Sequence, residues 1–311
     1  MEFTDPLDSV HEGLAHAPVR VMSAKVKLLQ RLRNLRSRRE LLRNLIISDI
    51  RIKYKGSALG LLWSMLNPAF TLGIYYLVFS VVLKNGYPNY VIFLFSGLIV
   101  WNMFQNSVFA ATGVIVDRAG LVKKVSFPRE ILALASVGSA VIYFLIQMVV
   151  LIIFLFVFHH APEWNMLAIL PITFASLYLF AAAVSVVMSA FTVYMRDMKH
   201  LMEVLLQLWF WLSPVVYSYE NSLSVQLAKH HIKLLYFMNP MALMVLTFQR
   251  TFYVNTLVHS TIDGHVIKML PTWHASSFLY LNLGMLAITG ILFLIALVIF
   301  GRLEGNFESE L

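Results

Sequence analysis

Apolar residues dominate the chain from about residue 60 onward, in runs separated by shorter polar segments. A helix needs about 20 mostly apolar residues to cross the roughly 30 Å hydrocarbon layer of a bilayer. The fifth run is short and contains Pro214, which predicts a kink or break near its outer end. The pattern predicts an all-α polytopic membrane protein with six transmembrane helices, at about residues 60–83, 90–116, 134–158, 171–191, 202–217 and 279–300.

The segment before the first run is amphipathic. At about 100° per residue, apolar residues from Leu41 to Ile52 share one helix face, and polar residues that include Arg43 and Arg51 cover the other. Asp49 lies on the apolar side, where Lys53 could pair with it. We expect a helix in the membrane interface, with a soluble docking helix as the alternative. The predicted regions are a loose cytoplasmic tail (1–24), an interface-helix region (25–56) and a transmembrane domain (57–311).

Two segments outside the runs are distinctive. The first is a short basic loop at residues 117–130, on the predicted inner side. The second is a long outer segment at residues 218–277, with an amphipathic stretch at 225–237 and an apolar run at 241–248. Because that run is too short to span a bilayer, we expect a re-entrant or interfacial helix pair before the last span.

Composition agrees with a membrane protein, since 59% of the residues are hydrophobic and only 13% are charged. Soluble domains carry about 25% charged residues. Half of the 24 lysines and arginines lie between Arg20 and Lys55, and most of the rest lie in predicted inner segments. This asymmetry predicts that both termini are cytoplasmic, and it indicates contact with membrane lipids rather than with nucleic acid.

Several kinds of chemistry are excluded. The chain has no cysteine and no Gly-Lys dipeptide, so it has neither a disulfide nor a phosphate-binding P-loop. The histidines lie mostly in tails and outer loops, and we expect no metal site and no cofactor in this chain. Glu203 is the one carboxylate within the predicted spans, which disfavours a proton-coupled carrier or an intramembrane hydrolase.

The predicted spans carry aromatic rings and amides instead. Such rings can stack on the apolar faces of sugars, but they equally suit helix packing and interfacial anchoring. For a sugar path we favour Tyr75 and Phe79, which share a helix face, with one of two tryptophans of the fifth span. The candidate channel residues are Tyr75, Tyr76, Phe79, Trp209 and Trp211.

Five local motifs carry a family resemblance. They are Arg51-x-Lys53-Tyr54-x-x-Ser57-x-Leu59-Gly60-x-x-Trp63-x-x-x-Asn67-Pro68, Leu121-Val122-Lys123-Lys124-Val125-x-Phe127-Pro128-Arg129-Glu130, Arg196-Asp197, Asn239-Pro240 with Arg250, and Phe307-x-x-x-Leu311. From about Leu41 to its end, the chain resembles the permease subunit of bacterial ABC exporters of polysaccharides. This family includes exporters of O-antigen, capsule, wall teichoic acid and galactan.

The resemblance implies a channel made of two copies of the chain in the bacterial cytoplasmic membrane, with two soluble ATP-binding subunits beneath. ATP would be bound by those subunits, and a lipid-linked polysaccharide would enter from the inner leaflet. The interface helix would act as a gate, through Arg43, Asp49, Arg51, Lys53 and Tyr54. The inner loop would be a coupling helix, through Asp117, Arg118, Leu121, Lys123, Lys124, Phe127, Pro128, Arg129 and Glu130.

Three alternatives stay open. The chain could be a drug or haem exporter permease of the same fold, and its inner loop could be a plain connector whose charges only set topology. It could also be a membrane-bound glycosyltransferase or ligase. That class needs an acidic group at the outer face, where the candidates are Glu163, Glu220 and Asp263.

Overall fold

The structure is a computed structural model that describes residues 28–57, 60–82, 88–220, 236, 238–254, 257–259 and 266–311. Its helices are α1 (Leu28–Ser37), α2 (Arg39–Tyr54), α3 (Trp63–Tyr76), α4 (Tyr90–Asp117), α5 (Ala119–Lys124), α6 (Glu130–Val157), α7 (Trp164–Leu167), α8 (Leu170–Tyr194), α9 (Met198–Trp211), α10 (Pro240–Phe252), α11 (Ala275–Leu303) and α12 (Phe307–Glu310). A short antiparallel hairpin, β1 (Leu257–His259) with β2 (Val266–Lys268), pairs Val258 with Ile267.

Four of the described helices are long and apolar enough to cross a membrane: α4, α6, α8 and α11. They correspond to the second, third, fourth and sixth predicted spans, which they confirm. The last begins at Ala275, a turn earlier than predicted. The chain is therefore a multi-pass membrane protein.

The other two predicted spans take shorter helices. α3 and α9 have 14 residues each, and a helix of that length covers only about 21 Å. A 3₁₀ turn, Gly60–Leu62, precedes α3, and a π-helical turn, Leu77–Val82, follows it. α9 runs from Met198 to Trp211, so the predicted bounds 202–217 were wrong, whereas the break before Pro214 is confirmed.

α4 is the central helix, in contact with α3, α6, α8, α9 and α10. Its most apolar stretch is 78% buried, compared with 28% for α11, which packs mainly on α8. Hydroxyl groups inside α4 donate to its own backbone, as Ser107 Oγ does to the Met103 carbonyl at 2.7 Å. These short side chains satisfy their own polar atoms and leave room for close helix packing.

α10 is the described part of the predicted outer helix pair. Asn239 accepts from the Met241 amide at 3.1 Å and caps the helix, which is buried from Met241 to Gln249. The first member of the pair, at residues 225–237, lies outside the described residues except for Tyr236. α10 also completes the broken end of α9. Gln249 Nε2 donates to the Pro214 and Val215 carbonyls at 3.0 and 3.1 Å, which supplies partners to backbone that no helix satisfies.

α2 lies along α6 and shows the predicted amphipathic pattern with one exception. Leu45 is buried and Ile50 partly buried, but Ile52 is 65% exposed, so the apolar face ends at Ile50 and not at Ile52. The two helices meet at Gly138, where a Cβ atom would lie 2.4 Å from Ile46 Cδ1. A glycine at this position is therefore what allows α2 to approach α6.

We expect Gly138→Ala to lower the thermal unfolding midpoint of the purified protein, because the added methyl overlaps Ile46. Overpacking of this kind costs about 1–3 kcal/mol. In an Ile46→Ala background the penalty should disappear, because both atoms that the methyl would meet belong to Ile46.

Gly284→Ala is the matched control, since no atom lies within 4 Å of a Cβ built there. A Gly138→Ala penalty that stays the same after Ile46 is truncated would show that the contact with α2 is not its cause.

Candidate functional site

The inner loop protrudes from the bundle and presents a mixed apolar and basic surface. α5 follows α4 after a single residue, Arg118. Val122 is 4% exposed and faces the bundle, whereas Leu121 is 37% and Val125 50% exposed. Lys123 and Lys124 are exposed beside them. We call Leu121, Lys123, Lys124 and Val125 the loop patch.

Phe127 does not belong to this patch. It is half-buried and packs against the hydrophobic core, as Pro128 and Arg129 begin the return to α6. Leu121 and Phe127, two apolar residues of the predicted coupling helix, therefore have different environments: Leu121 is exposed, and Phe127 packs the loop against the bundle.

Ion pairs hold the start of the loop. Arg118 pairs with Asp49 of α2, and Asp117 Oδ2 lies 3.7 Å from Lys199 Nζ of α9. The second pair is largely exposed and contributes little. The predicted Asp49–Lys53 pair was wrong, because Asp49 reaches across to Arg118 instead. The Lys53 ammonium lies 4.4 Å from the centre of the Tyr143 ring, and burial lowers the pKa of Lys53.

Arg31 holds the end of the loop in a buried cluster that sequence reasoning missed. Its guanidinium lies 3.4 Å from Glu130 Oε1 and 2.8 Å from Glu304 Oε2. Arg129 donates to the Glu304 carbonyl at 3.3 Å and lies over the Phe307 ring. The cluster thus joins α1, the loop and the C-terminal segment. A signal was present, because Arg31 lies beside Leu28 and Leu35 on the apolar side of α1.

Three gate candidates remain, and the structure describes the side chains of two of them. Arg43 and Arg51 are exposed on α2. The side chain of Tyr54 lies outside the described residues.

The candidate channel rings also fall into different environments. Tyr75 stacks on Phe210 with ring centres 5.8 Å apart. Trp209 is partly buried, packs edge-on against Phe104 at 5.2 Å and donates from Nε1 to Asn239 Oδ1 at 2.9 Å. Trp211 is 51% exposed and Tyr76 39% exposed. Trp209 is therefore a packing residue, Trp211 is open to the surroundings, and the side chain of Phe79 lies outside the described residues.

At the predicted outer face, Glu163 pairs with Arg250 and does not stand as a free acid. The Arg250 guanidinium also approaches the Val254 carbonyl at 3.4 Å. Within the described parts of the chain, no three histidine, aspartate or glutamate residues are grouped as metal ligands.

We expect Arg31→Met to destabilise the protein strongly. It would leave the carboxylate of Glu130, 2% exposed, without its cation, while Glu130 Oε2 already has no hydrogen-bond partner within the described residues. Loss of one member of a buried pair costs about 3 kcal/mol or more. The thermal midpoint should fall, and Glu130→Gln should restore part of the loss.

Arg33→Met is the control, because Arg33 is exposed two residues away on the same helix. Equal midpoints for Arg31→Met and Arg33→Met would mean that the cluster does not stabilise the loop.

Comparison with known proteins gives concordant results. Residues 40–253 match the ABC-2 type transporter family. The chain is 30% identical, over 80% of its length and 95% of the relative's, to the O-antigen export system permease protein RfbA of Myxococcus xanthus. Two proteins of the same description from Klebsiella pneumoniae are each 29% identical, over 69% and 85% of this chain and 81% and 92% of their own lengths. With its multi-pass helical fold and its protruding inner loop, the chain belongs to the ABC-2 type transporter family.

Proposed function

We propose that this chain is the channel-forming permease subunit of a bacterial polysaccharide exporter. Two copies would form a passage for a lipid-linked polysaccharide across the cytoplasmic membrane, and two copies of a separate ATP-binding subunit would drive the movement. The observation that carries the proposal is the similarity to an O-antigen export permease over 80% of this chain and 95% of that relative.

The loop patch suits the contact with the ATP-binding subunit. It combines two exposed apolar side chains with two lysines, and small interfaces depend on a few apolar anchors inside a polar rim. The ion pairs at both ends of the loop support a coupling role over that of a plain connector. A loop fixed to α1, α2 and the C-terminal segment transmits displacement to those elements rather than absorbing it.

A six-span topology with both termini cytoplasmic is part of the proposal. The continuous helical stretch from residue 60 to 82 would be about 34 Å long, enough for a bilayer core. α9 and the turn after it would form the fifth, broken span, since its free carbonyls are satisfied inside the protein. The loop patch and the basic helices α1 and α2 would then share the inner side.

The ATP-binding partner can be tested directly. We expect Leu121→Ala with Val125→Ala to weaken binding of the ATP-binding subunit by about 2 kcal/mol and to abolish export, because the patch loses its apolar anchors. The measurement is affinity capture together with transport in cells that carry both genes.

Trp164→Ala is the control, since Trp164 is 76% exposed but lies between α6 and α8, at the opposite end of the helices from α5. Normal export and normal capture with the double alanine variant would reduce the loop to a connector. Hydrolysis of ATP by the pure chain alone would contradict the need for a partner.

The two tryptophans of α9 should behave differently. We expect Trp211→Ala to slow export at an unchanged protein level, because an exposed ring can stack on sugar without supporting the fold. Trp209→Ala should instead lower the thermal midpoint, by about 3 kcal/mol of stability, because it empties a packed site.

Export and protein level are measured together for both variants. The assignment of Trp211 to the passage is wrong if Trp211→Ala exports at the normal rate.

A further inference from the structure

The central helix α4 has an exposed polar window in an otherwise buried surface. Gln105 and Asn106 are exposed, and Phe109 and Ala110 continue the window by one turn. Helix positions just above and below this face, such as Leu98 and Thr112, are buried. The opening is thus local, and it displays two neighbouring amides.

The window lies at the depth of the hydrocarbon layer. α4 has 28 residues, so its length is about 42 Å and Asn106 lies about 4 Å from its midpoint. An amide that meets lipid tails without a hydrogen bond costs several kcal/mol. The window is therefore unsuited to a lipid contact.

The amide side chains in this region differ in how many hydrogen bonds they make within the protein. Asn102 Nδ2 donates to Gln147 Oε1 at 3.3 Å, and Gln105 Oε1 accepts from Trp101 Nε1 at 2.8 Å. The side chain of Asn106 makes no hydrogen bond with any described residue. Polar atoms that the protein leaves open at this depth require water, a polar ligand or a second protein surface.

α9 continues the polar surface beside the window. His200, Glu203, Gln207 and Trp211 lie within an arc of about 80° on this helix, and all four are exposed. A separate exposed arc is purely apolar and suits lipid or a protein partner; it consists of Leu201, Leu205, Leu208 and Leu212.

Aromatic contacts join the two helices at this place. Phe210 packs against Trp101 at 5.5 Å and against Trp211 at 5.4 Å, and Trp101 holds Gln105. Trp101 and Phe210 are buried between the helices, so these contacts place the window of α4 and the polar arc of α9 beside the same helix–helix contact.

We propose that Gln105, Asn106 and Gln207 line a water-filled passage at mid-membrane and hydrogen-bond the hydroxyl groups of a carbohydrate chain inside it. The carbohydrate rests on the proposed function, whereas the water-filled passage rests on the window alone. An amide is neutral and offers both a donor and an acceptor, as a sugar hydroxyl does. Contacts of this kind are weak enough for a long polymer to move past them.

The absence of cysteine from the sequence allows a direct test of the passage. Asn106→Cys introduces a single thiol, and reaction with a charged, membrane-impermeant methanethiosulfonate requires the thiolate, which forms only in contact with water. The matched control is Ile291→Cys on α11, which is 58% exposed. Ile291 precedes Leu303, the last residue of α11, by about as many residues as Asn106 precedes Asp117 at the end of α4, so the two depths agree within about 2 Å.

We expect Asn106→Cys to react about tenfold faster or more than Ile291→Cys, in proteoliposomes of the full chain with its ATP-binding subunit. Equal, slow labelling of the two variants would overturn the passage. Oxidative cross-linking of Asn106→Cys between two copies, without reaction with the charged reagent, would also overturn it by showing a dry contact between subunits.

The carbohydrate contact is tested by export. Asn106→Leu should slow export about fivefold, the factor expected for one lost hydrogen bond, and Asn106→Gln should restore most of the rate. Fast labelling with normal export by Asn106→Leu would keep the passage and overturn the contact. If the unaltered pair of proteins exports no polysaccharide, the proposed function fails, and the labelling result still decides whether the passage exists.

Discussion

Polar groups at the depth of the hydrocarbon layer must find partners inside the protein, and this requirement governs the structure described above. It is why the long helices keep unbroken backbone hydrogen bonds and why the hydroxyls within them, such as Ser107, donate to their own helix. The break after α9 obeys the same requirement. Gln249 Nε2 donates hydrogen bonds to two backbone carbonyls there, and Asn239 Nδ2 donates to the Leu212 carbonyl at 3.3 Å. α10 and its capping residue therefore supply the hydrogen-bond donors that the broken end of α9 needs.

The same requirement separates two kinds of polar residue. Charged side chains that are paired, such as Arg31 with Glu130 and Arg118 with Asp49, lie around the inner loop, beside the end of α4 and the start of α6. The exposed amides of α4 lie at mid-depth instead, and the side chain of Asn106 has no hydrogen-bond partner among the described residues. A polar side chain at this depth is energetically costly unless it has a hydrogen-bond partner. A side chain with partners inside the protein is therefore interpreted as structural, and one without them is a candidate functional residue.

The sequence predicts the four long spans well because each is a long apolar run that needs no tertiary information. It also predicts the break before Pro214, since proline cannot continue the hydrogen-bond ladder. It does not give the end of α9 at Trp211, which depends on amides supplied by α10. The pairs Arg31–Glu130 and Asp49–Arg118 join residues far apart in sequence, so helical spacing could not reveal them. Local spacing instead suggested Lys53 as the partner of Asp49. Similarly, composition could not tell the packed Trp209 from the exposed Trp211.

The inner loop is fixed to the rest of the protein at both of its ends. An ion pair of Arg118 connects the start of the loop to α2. Ion pairs of Arg31 with Glu130 and Glu304 connect its end to α1 and the C-terminal segment, and Phe127 packs against the core. One residue separates α5 from α4 and five separate it from α6, so neither side has a long linker that could absorb a push. α4 carries the amide window on the same helix, about 17 Å from the end that joins the loop. A displacement of the loop patch would therefore reach the window through the helix itself, without a chain of intermediate rearrangements.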